Sequence, residues 1–377
     1  MQSHLPDVVC FSHLRWNFVF QRPHHLMTRF AQEARVFFVE EPVFGSAALE
    51  LRVIEVEHGV RVCTPHLPAS ASRHVDDELQ RVLVARLAQE SRVRAPVCWF
   101  YTPMALPLAR DLGASLAVYD CMDELSGFLG APPELLVREN ELFDEADIVF
   151  TGGQSLYESK RARHPNVHAF PSSVDVQHFR SAREASSRKE GRPRVGFFGV
   201  IDERLDVPLL DGVACERPGV DFVVLGPIVK IEPATLPHRK NIFYPGPKHY
   251  RELPACIAEW DVTMMPFARN DATHFISPTK TLEYMAAGKP IVSTSIRDVV
   301  RPYGESGLVR IADDPRAFVA AIDEALAEDP AKRLAAFDAY LAGTSWDRTW
   351  QRMRSLLQAG LAARSGRWAE ERRVESA

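Results

Sequence analysis

The sequence lacks the features that would place it in several large functional classes. No apolar run reaches the ~18 residues of a membrane span, and residues 1–7 have no basic segment followed by an apolar core. Positive charge is not in excess either, since 45 lysines and arginines face 50 aspartates and glutamates and give a net charge of −5. Nucleic-acid-binding proteins normally carry a basic excess, so the composition argues against that class. We expect a soluble, cytoplasmic protein.

Cysteine is scarce and scattered. The six cysteines lie at positions 10, 63, 98, 121, 215 and 256 and show no paired spacing. Neither a zinc site nor a disulfide framework fits this spacing, and structural thiols are the simpler interpretation. The remaining composition, with 46% hydrophobic and 25% charged residues in a chain of 377, is that of a globular protein long enough for two domains.

Short runs of β-branched and aromatic residues alternate with amphipathic segments. In the first half they occupy residues 8–11, 36–39, 97–101, 116–119, 148–150 and 167–170; in the second half 194–199, 220–226, 241–244, 261–265, 290–292 and 308–311. Strands buried on both faces have this composition, and the amphipathic segments between them are typical of the crossover helices of parallel sheets. The pattern predicts an α/β protein with two Rossmann-like, doubly wound domains in tandem.

A composition break separates the two halves. Residues 181–193 are polar and charged, with almost no large apolar side chain, and therefore predict a linker. The predicted organisation is a first domain over residues 1–180, the linker, a second domain over residues 194–345, and a final segment over residues 346–377.

The most informative stretch is residues 275–293. Ser277 suits a helix N-cap and Pro278 the first helical position, where its missing amide is not needed. The amides of Thr279 and Lys280, with the Lys280 ammonium beside them, would then face a phosphate at a positively polarised helix end. Glu283 lies one turn further on, where its carboxylate could accept hydrogen bonds from a ribose diol.

This stretch resembles the donor-site helix of GT-B fold glycosyltransferases, the large retaining group that includes glycogen synthases and bacterial mannosyltransferases. Glu283 matches the second carboxylate of the family pattern, whereas the first falls on Phe275. Residues 171–179 resemble the segment that leads from the first GT-B domain into the second. Residues 346–357 resemble the aromatic-rich terminal helix that crosses back to the first domain, so the similarity covers about residues 7–360.

The resemblance implies a nucleotide-diphosphate-sugar donor that is bound in the second domain. Arg204 is the cation in the loop after residues 194–199, where the family contacts the diphosphate, and Gly199 begins that loop. An alternative is that Arg204 pairs with Asp202 or Asp206 on the surface. Gly246 lies in an extended turn where the family places the nucleotide base. Because cations and helix ends supply the charge in this family, we expect no cofactor and no metal.

Acceptor residues are expected in the first domain. His13, Arg15 and Trp16 follow the first predicted strand, where Trp16 could stack on a sugar. Asp120 and Asp123 follow a later strand; Asp123 could take the proton of an acceptor hydroxyl, whereas Asp120 could instead cap a helix. Arg204 and Lys280, which stabilise the leaving diphosphate, complete the predicted catalytic set. The adjacent pair His24 and His25 lacks helical metal spacing, which favours a surface position.

The sequence therefore predicts a glycosyltransferase that moves a sugar to a carbohydrate or lipid-linked acceptor in cell-surface glycan or exopolysaccharide synthesis. Two alternatives stay open: a non-catalytic sugar-nucleotide-binding subunit, which the loss of the first family glutamate favours, and a sugar-nucleotide epimerase of the same fold. Peripheral contact with the inner membrane face is also open. Residues 15–22 and Arg29 could meet an anionic lipid surface, but a core-facing helix explains the same apolar side chains.

Overall fold

The computed structural model describes residues 5–70, 72–185 and 191–375, with side chains up to residue 365. An eight-stranded sheet forms the first domain, with the strand order β3-β4-β2-β1-β5-β6-β7-β8. All neighbouring pairs are parallel except β3 and β4, which pair antiparallel at one edge. The strands are β1 (Val8–Ser12), β2 (Val36–Glu40), β3 (Glu50–Glu55), β4 (Val60–His66), β5 (Val97–Phe100), β6 (Leu116–Cys121), β7 (Ile148–Thr151) and β8 (Val167–Ala169).

The second domain contains a six-stranded parallel sheet with the order β11-β10-β9-β12-β13-β14. Its strands are β9 (Arg194–Phe198), β10 (Asp221–Leu225), β11 (Ile242–Phe243), β12 (Val262–Met265), β13 (Ile291–Ser293) and β14 (Arg310–Ile311). Numbered within the domain, this order is that of a doubly wound dinucleotide-type fold. Each run that the sequence marked as a buried strand forms one.

Helices cover both faces of the two sheets. In chain order they are α1 (Arg22–Phe30), α2 (Arg73–Glu90), α3 (Leu135–Glu145), α4 (Gln154–Lys160), α5 (Val176–Ala185), α6 (Val207–Glu216), α7 (Leu253–Ala258), α8 (Lys280–Ala286), α9 (Arg297–Val299), α10 (Pro315–Ala327), α11 (Pro330–Leu341) and α12 (Trp346–Glu375). Shorter helical turns lie at Pro103–Ala109 and Leu125–Gly127. Within the described residues, none of the helices combines the length and the apolarity needed to cross a bilayer.

Each sheet has a point where the direction of winding reverses. In the first domain it lies between β1 and β5, and in the second between β9 and β12. Crevices open outside the carboxyl ends of the strands at such points and are the usual ligand sites of these folds.

The predicted linker begins too early. Helix α5 continues to Ala185 because Phe179 and Ala182, three residues apart, are both buried against the second-domain core. Ser181 and Glu184 of this last turn are exposed, whereas Arg183 is half-buried and donates to the Ala286 carbonyl at 2.8 Å. Residues 186–190, the middle of the predicted linker, lie outside the described residues.

The last helix returns to the first domain. Trp346, Trp350, Met353 and Leu357 of α12 are buried in the same apolar cluster as residues of β1 and β6. The chain therefore closes on the domain in which it began.

Candidate active site

A lysine and a glycine meet at the switch point of the second domain. Gly199 follows β9 with a φ of 143°, and a Cβ atom at this position would lie only 2.3 Å from Cε of Lys280. A residue with a side chain would displace the lysine. The Lys280 Nζ atom lies 5.3 Å from the ring centroid of Phe197 and 5.6 Å from that of Phe267, so an ammonium group is held over two aromatic faces.

The helix that carries Lys280 starts later than the sequence predicts. Helix α8 begins at Lys280, its N-cap is Thr279, and no side chain caps it; Ser277 is therefore not the N-cap and Pro278 not the first helical residue. The reason is a contact with the first domain. The Ser172 hydroxyl donates to the Ser277 carbonyl at 3.1 Å, and the Thr279 hydroxyl donates to the Ser172 oxygen at 2.9 Å.

Lys280 and Glu283 are perturbed by burial in opposite directions. Burial, followed by repulsion from Arg204, lowers the pKa of the Lys280 ammonium. Burial raises the pKa of the Glu283 carboxyl, although the Lys280 charge opposes this rise. Glu283 is 6% exposed. Both groups therefore lie where a ligand that supplies opposite charge or hydrogen bonds would be bound strongly.

Arg204 is paired, as the alternative interpretation held, but not on the surface. Its Nη2 atom lies 2.6 Å from Oδ2 of Asp202, and Asp202 is only 3% exposed. Asp206 caps α6 instead, accepting from the Leu209 amide at 2.9 Å. The Arg204 guanidinium also lies 5.3 Å from the ring of Phe128, a residue of the first domain.

Asp123 belongs to the same cluster although it comes from the first domain. The side chain follows β6 and is half-buried. Burial raises the pKa of its carboxyl to about 6, against the opposing charges of Arg204, Arg22 and Lys280. The structure thus brings together Asp123, Arg204 and Lys280, which the sequence named as the catalytic set.

Gly246 lies beside the Gly199 loop. It has a φ of 81°, and its carbonyl accepts from the Gly226 amide at 3.1 Å. Gly226 in turn contacts Gly199 so closely that an added Cβ would lie 1.8 Å from the Gly199 carbonyl oxygen. One edge of the site is therefore formed by the backbone of Gly199, Gly226 and Gly246, without side chains.

His13 faces the second domain from the end of β1. Burial lowers the pKa of its imidazole to about 4, helped by the charge of Lys230 and opposed by a hydrogen bond to the Tyr101 backbone. Its Nδ1 atom is buried and has no hydrogen-bond partner among the described residues. His13 is therefore a neutral side chain near the cleft, which leaves its predicted acceptor role open.

Arg15 and Trp16 are not free to bind an acceptor as predicted. Glu40, at the end of β2, accepts from Nη1 of Arg15 at 3.0 Å and from the Trp16 amide at 2.7 Å. The Trp16 ring packs against His24 and Phe38, with centroid distances of 4.4 and 5.0 Å. The Trp16 ring could stack on a sugar only if it lost this packing. The predicted acceptor roles of Arg15 and Trp16 are therefore wrong, and both residues instead hold the loop after β1 in place.

Asp120 is also wrongly assigned to the acceptor. Its carboxylate is fully buried and accepts from Nε and Nη2 of Arg22, the shortest distance being 2.8 Å. Arg22 itself is 4% exposed and also donates to the Phe170 carbonyl at 2.7 Å. Asp120 therefore anchors α1 to the sheet and cannot reach a ligand directly. His24 and His25, which follow Arg22 in α1, are buried too, so their predicted surface position is wrong.

Sequence reasoning missed several residues of the cleft. Phe128 and Lys230 are the clearest examples, because the Lys230 Nζ atom lies 5.0 Å from the Phe128 ring and so links the two domains. Phe275, which replaces the first family glutamate, packs against the core of the first domain. An aromatic residue in a polar loop was the only sequence signal for Phe128, whereas Phe275 was marked by its place in the family pattern. Across the described residues there is no cluster of three or more potential metal ligands, and metal independence stays a prediction.

Known proteins resemble this chain in both sequence and fold. A family model described as glycosyl transferases group 1 matches residues 192–328. A protein of Bacillus subtilis (strain 168), TuaH, is 25% identical over 256 residues, which are 62% of this chain and 64% of the relative. Its name assigns it provisionally as a teichuronic acid biosynthesis glycosyltransferase. The match thus spans slightly less than two thirds of the relative's length.

Solved structures match over both domains. Sucrose-phosphate synthase from Thermosynechococcus elongatus superimposes with a TM-score of 0.73 at 14% identity, covering 95% of this chain and all of that one. An E. coli structure described as trehalose-6-phosphate bound with UDP-2-fluoro glucose has a TM-score of 0.67 at 11% identity, covering 93% and 98% of the two chains.

Two Rossmann-like domains that meet across a cleft lined by both define a GT-B protein, and the predicted fold class is confirmed. Residues 192–328 match the family model of the group 1 glycosyltransferases, and both domains share the fold of the solved GT-B structures.

Proposed function

We propose that this protein transfers a sugar from a nucleotide-diphosphate-sugar to a carbohydrate or lipid-linked acceptor, with retention at the anomeric carbon, in cell-surface glycan or exopolysaccharide synthesis. The observation that carries the proposal is the cluster of Arg204, Lys280 and Asp123, in which two cations of the second domain face a carboxyl of the first. A diphosphate and a hydroxyl nucleophile are the ligands that such a cluster suits. The Bacillus relative supports the glycan context.

The proposed reaction assigns a role to each group. Arg204 and the Lys280 ammonium stabilise the charge that develops on the diphosphate as its bond to the anomeric carbon breaks and the electron pair moves to the phosphate oxygen. The acceptor hydroxyl oxygen forms the new bond to that carbon on the face from which the diphosphate leaves, which retains the configuration. Its proton passes to Asp123, which is mostly ionised at pH 7. Glu283 accepts from the ribose, and backbone at Gly246 contacts the base. Neither a metal nor a cofactor is required.

Donor binding and donor use can be tested with one charge-removing variant. Wild-type protein, Lys280→Met and the control Lys332→Met are screened by thermal shift against UDP, GDP, ADP and TDP. Lys332 is exposed on α11 and is not part of the cluster. One nucleotide should raise the melting temperature of the wild type and the control but not of Lys280→Met, because ligand binding stabilises the native state. Equal shifts in all three proteins would refute the proposed site.

Product analysis separates the alternatives. Release of nucleoside diphosphate from the matching sugar nucleotide, by transfer or slow hydrolysis, is the expected result. Binding without release would favour a non-catalytic subunit, which the replacement of the family glutamate by Phe275 also supports. Conversion of the sugar without release would favour an epimerase. The lipid-linked form of the acceptor, with peripheral membrane contact, remains part of the proposal, since Phe18 and Phe20 are about 40% exposed beside α1.

A further inference from the structure

A cavity lies at the switch point of the first domain. Its volume is about 420 Å³, within the range of about 300–1,000 Å³ common for small-molecule sites. Ser12 and Thr102, which end β1 and follow β5, form its floor, and the first residues of α2 form one wall. The cavity therefore opens where the fold favours a ligand.

The lining of this cavity combines apolar and charged side chains. The apolar ones include Phe11, Phe44, Met104 and Leu108. The charged ones are four carboxylates and a single guanidinium: Glu40, Glu41, Asp76, Asp77 and Arg73. A ligand for this cavity must present an apolar face together with hydrogen-bond donors, because carboxylates only accept.

Asp77 is the buried carboxylate of this lining that lacks a hydrogen-bond partner among the described residues. It is 7% exposed, lines the cavity, and makes no hydrogen bond or ion pair with any described residue. The other buried acids are satisfied, since Glu40 accepts from Arg15 at 3.0 Å and Asp76 accepts from the Ser70 hydroxyl at 2.6 Å. Burial raises the pKa of the Asp77 carboxyl, with the nearby Arg73 charge opposing the rise. Because no described residue donates to the Asp77 carboxylate, its oxygens are available to a ligand or to water in the cavity.

We propose that this cavity binds an uncharged or amino-bearing saccharide unit, whose hydroxyl or ammonium groups donate to Asp77 while its ring packs on the apolar side chains of the lining. The inference rests on the proposed transferase function and names its acceptor class. Sugar phosphates and uronates are excluded on charge, because four carboxylates outnumber the one arginine of the lining.

Direct binding of defined saccharides tests the assignment. Glucosamine, glucose, glucose 6-phosphate and glucuronate are titrated into the full-length protein and followed by saturation-transfer difference NMR. Glucosamine and glucose should bind, and the two anionic sugars should bind at least about tenfold more weakly. Asp77→Asn should weaken glucosamine binding by about tenfold or more, the usual effect of losing a hydrogen bond to a charged group.

Two further variants make the test decisive. Asp144→Asn removes the same charge from an exposed position on α3 and should bind glucosamine like the wild type. Glu41→Gln, at an exposed position on the cavity rim, replaces Asp77→Asn if that variant does not fold, and should weaken glucosamine binding about threefold or more. The inference is overturned if the anionic sugars bind as tightly as glucosamine, if none of the four sugars binds, or if the cavity variant that folds binds glucosamine like the wild type.

Donor hydrolysis, measured on the same samples, separates the two proposals. Hydrolysis of a sugar nucleotide by a protein that binds none of the saccharides overturns the acceptor assignment alone. Selective binding of glucosamine by a protein that neither binds nor hydrolyses any sugar nucleotide overturns the transferase function and, with it, the naming of the ligand as an acceptor.

Discussion

Charged residues of this protein are expected to differ greatly in their contribution to folding stability, and Asp120 should contribute much. Its partner Arg22 is 4% exposed, so Asp120→Asn leaves a buried guanidinium without its counter-charge. We expect a loss of about 3–5 kcal/mol in the free energy of unfolding, measured by urea denaturation. The matched control is Asp347→Asn, which breaks the ion pair to Arg29 at a 74% exposed carboxylate and should cost less than about 1 kcal/mol. Similar losses for the two variants would show that Asp120 is not the anchor described above.

Replacement of Asp123, unlike that of Asp120, should not destabilise the protein. The pKa of the Asp123 carboxyl is raised, and this carboxyl forms no ion pair with a described residue. Its pKa of about 6 lies above the ordinary value, so the folded state prefers the protonated form and ionisation costs stability as the pH rises towards 6. Asp123→Asn should therefore melt no lower than the wild type at pH 7.

The same variant should lose about 10²–10⁴-fold in transfer rate if Asp123 takes the acceptor proton. In the wild type the rate should fall as the pH drops through about 6, where the carboxylate becomes protonated. A pH–rate profile of both proteins checks this, and an unchanged rate in Asp123→Asn would remove Asp123 from the mechanism.

Single residues were predictable from the sequence where their chemistry does not depend on a distant partner. Arg204 follows β9 and Lys280 begins α8, and the structure brings the two cations near each other. Their part in the reaction stays a prediction. Arg15 and Asp120 were assigned wrongly because their partners, Glu40 and Arg22, lie 25 and 98 residues away in the chain. No local pattern reveals such pairs, so a polar residue after a strand is indistinguishable from a ligand contact until the fold is known.

Among the elements, helix α4 is unusual because its cap comes from the other domain. Its N-cap, Gly153, has no side chain, and Asp298 of α9 accepts from the Ser155 amide at 3.0 Å instead. A Cβ at position 153 would lie 2.4 Å from Oδ2 of Asp298, so the glycine makes room for this carboxylate. Arg301 adds an ion pair to Glu158 of the same helix at 3.0 Å.

Removal of this cap should loosen α4 specifically. Asp298→Ala is expected to speed amide exchange over Gln154–Lys160 and to cost about 1–2 kcal/mol, the usual value of a helix cap. Asp314→Ala is the control, because Asp314 caps α10 within its own domain by accepting from the Ala317 amide at 2.9 Å. If both variants leave the exchange of α4 unchanged, the contact between the domains does not hold this helix.

Most element positions were predictable and element ends were not. Twelve of the fourteen strands in the described residues were found because residues buried on both faces form continuous apolar runs, and this signal is local. Strands β3 and β4 were missed because β3 is half-buried or exposed along its whole length and β4 mixes buried with half-buried residues. The start of α8 and the end of α5 were missed because contacts with the opposite domain or with the core decide them. Ser172 holds the turn before α8, and Phe179 and Ala182 extend α5 into the predicted linker.

At the scale of the whole molecule, α12 makes the two domains interdependent. It follows the second domain in the chain, yet Leu357 is fully buried in the core of the first domain. Gly360 allows the close approach, since a Cβ there would lie 3.0 Å from Leu116 of β6 and 3.1 Å from Ile148 of β7. A substitution that loosens α12 should therefore destabilise the first sheet, although nearly the whole chain separates α12 from β1.

Leu357→Ala tests this connection. The substitution leaves a cavity under β6 and β7 and should lower the free energy of unfolding by about 2–5 kcal/mol. Amide exchange of β6 and β7 should accelerate, while β9 and β12 of the second domain keep their protection. Gln351→Ala, on the exposed side of α12, should change stability by less than about 0.5 kcal/mol. If the faster exchange appeared in the second sheet instead, α12 would belong energetically to the domain that precedes it, and the first domain would not depend on the returning helix.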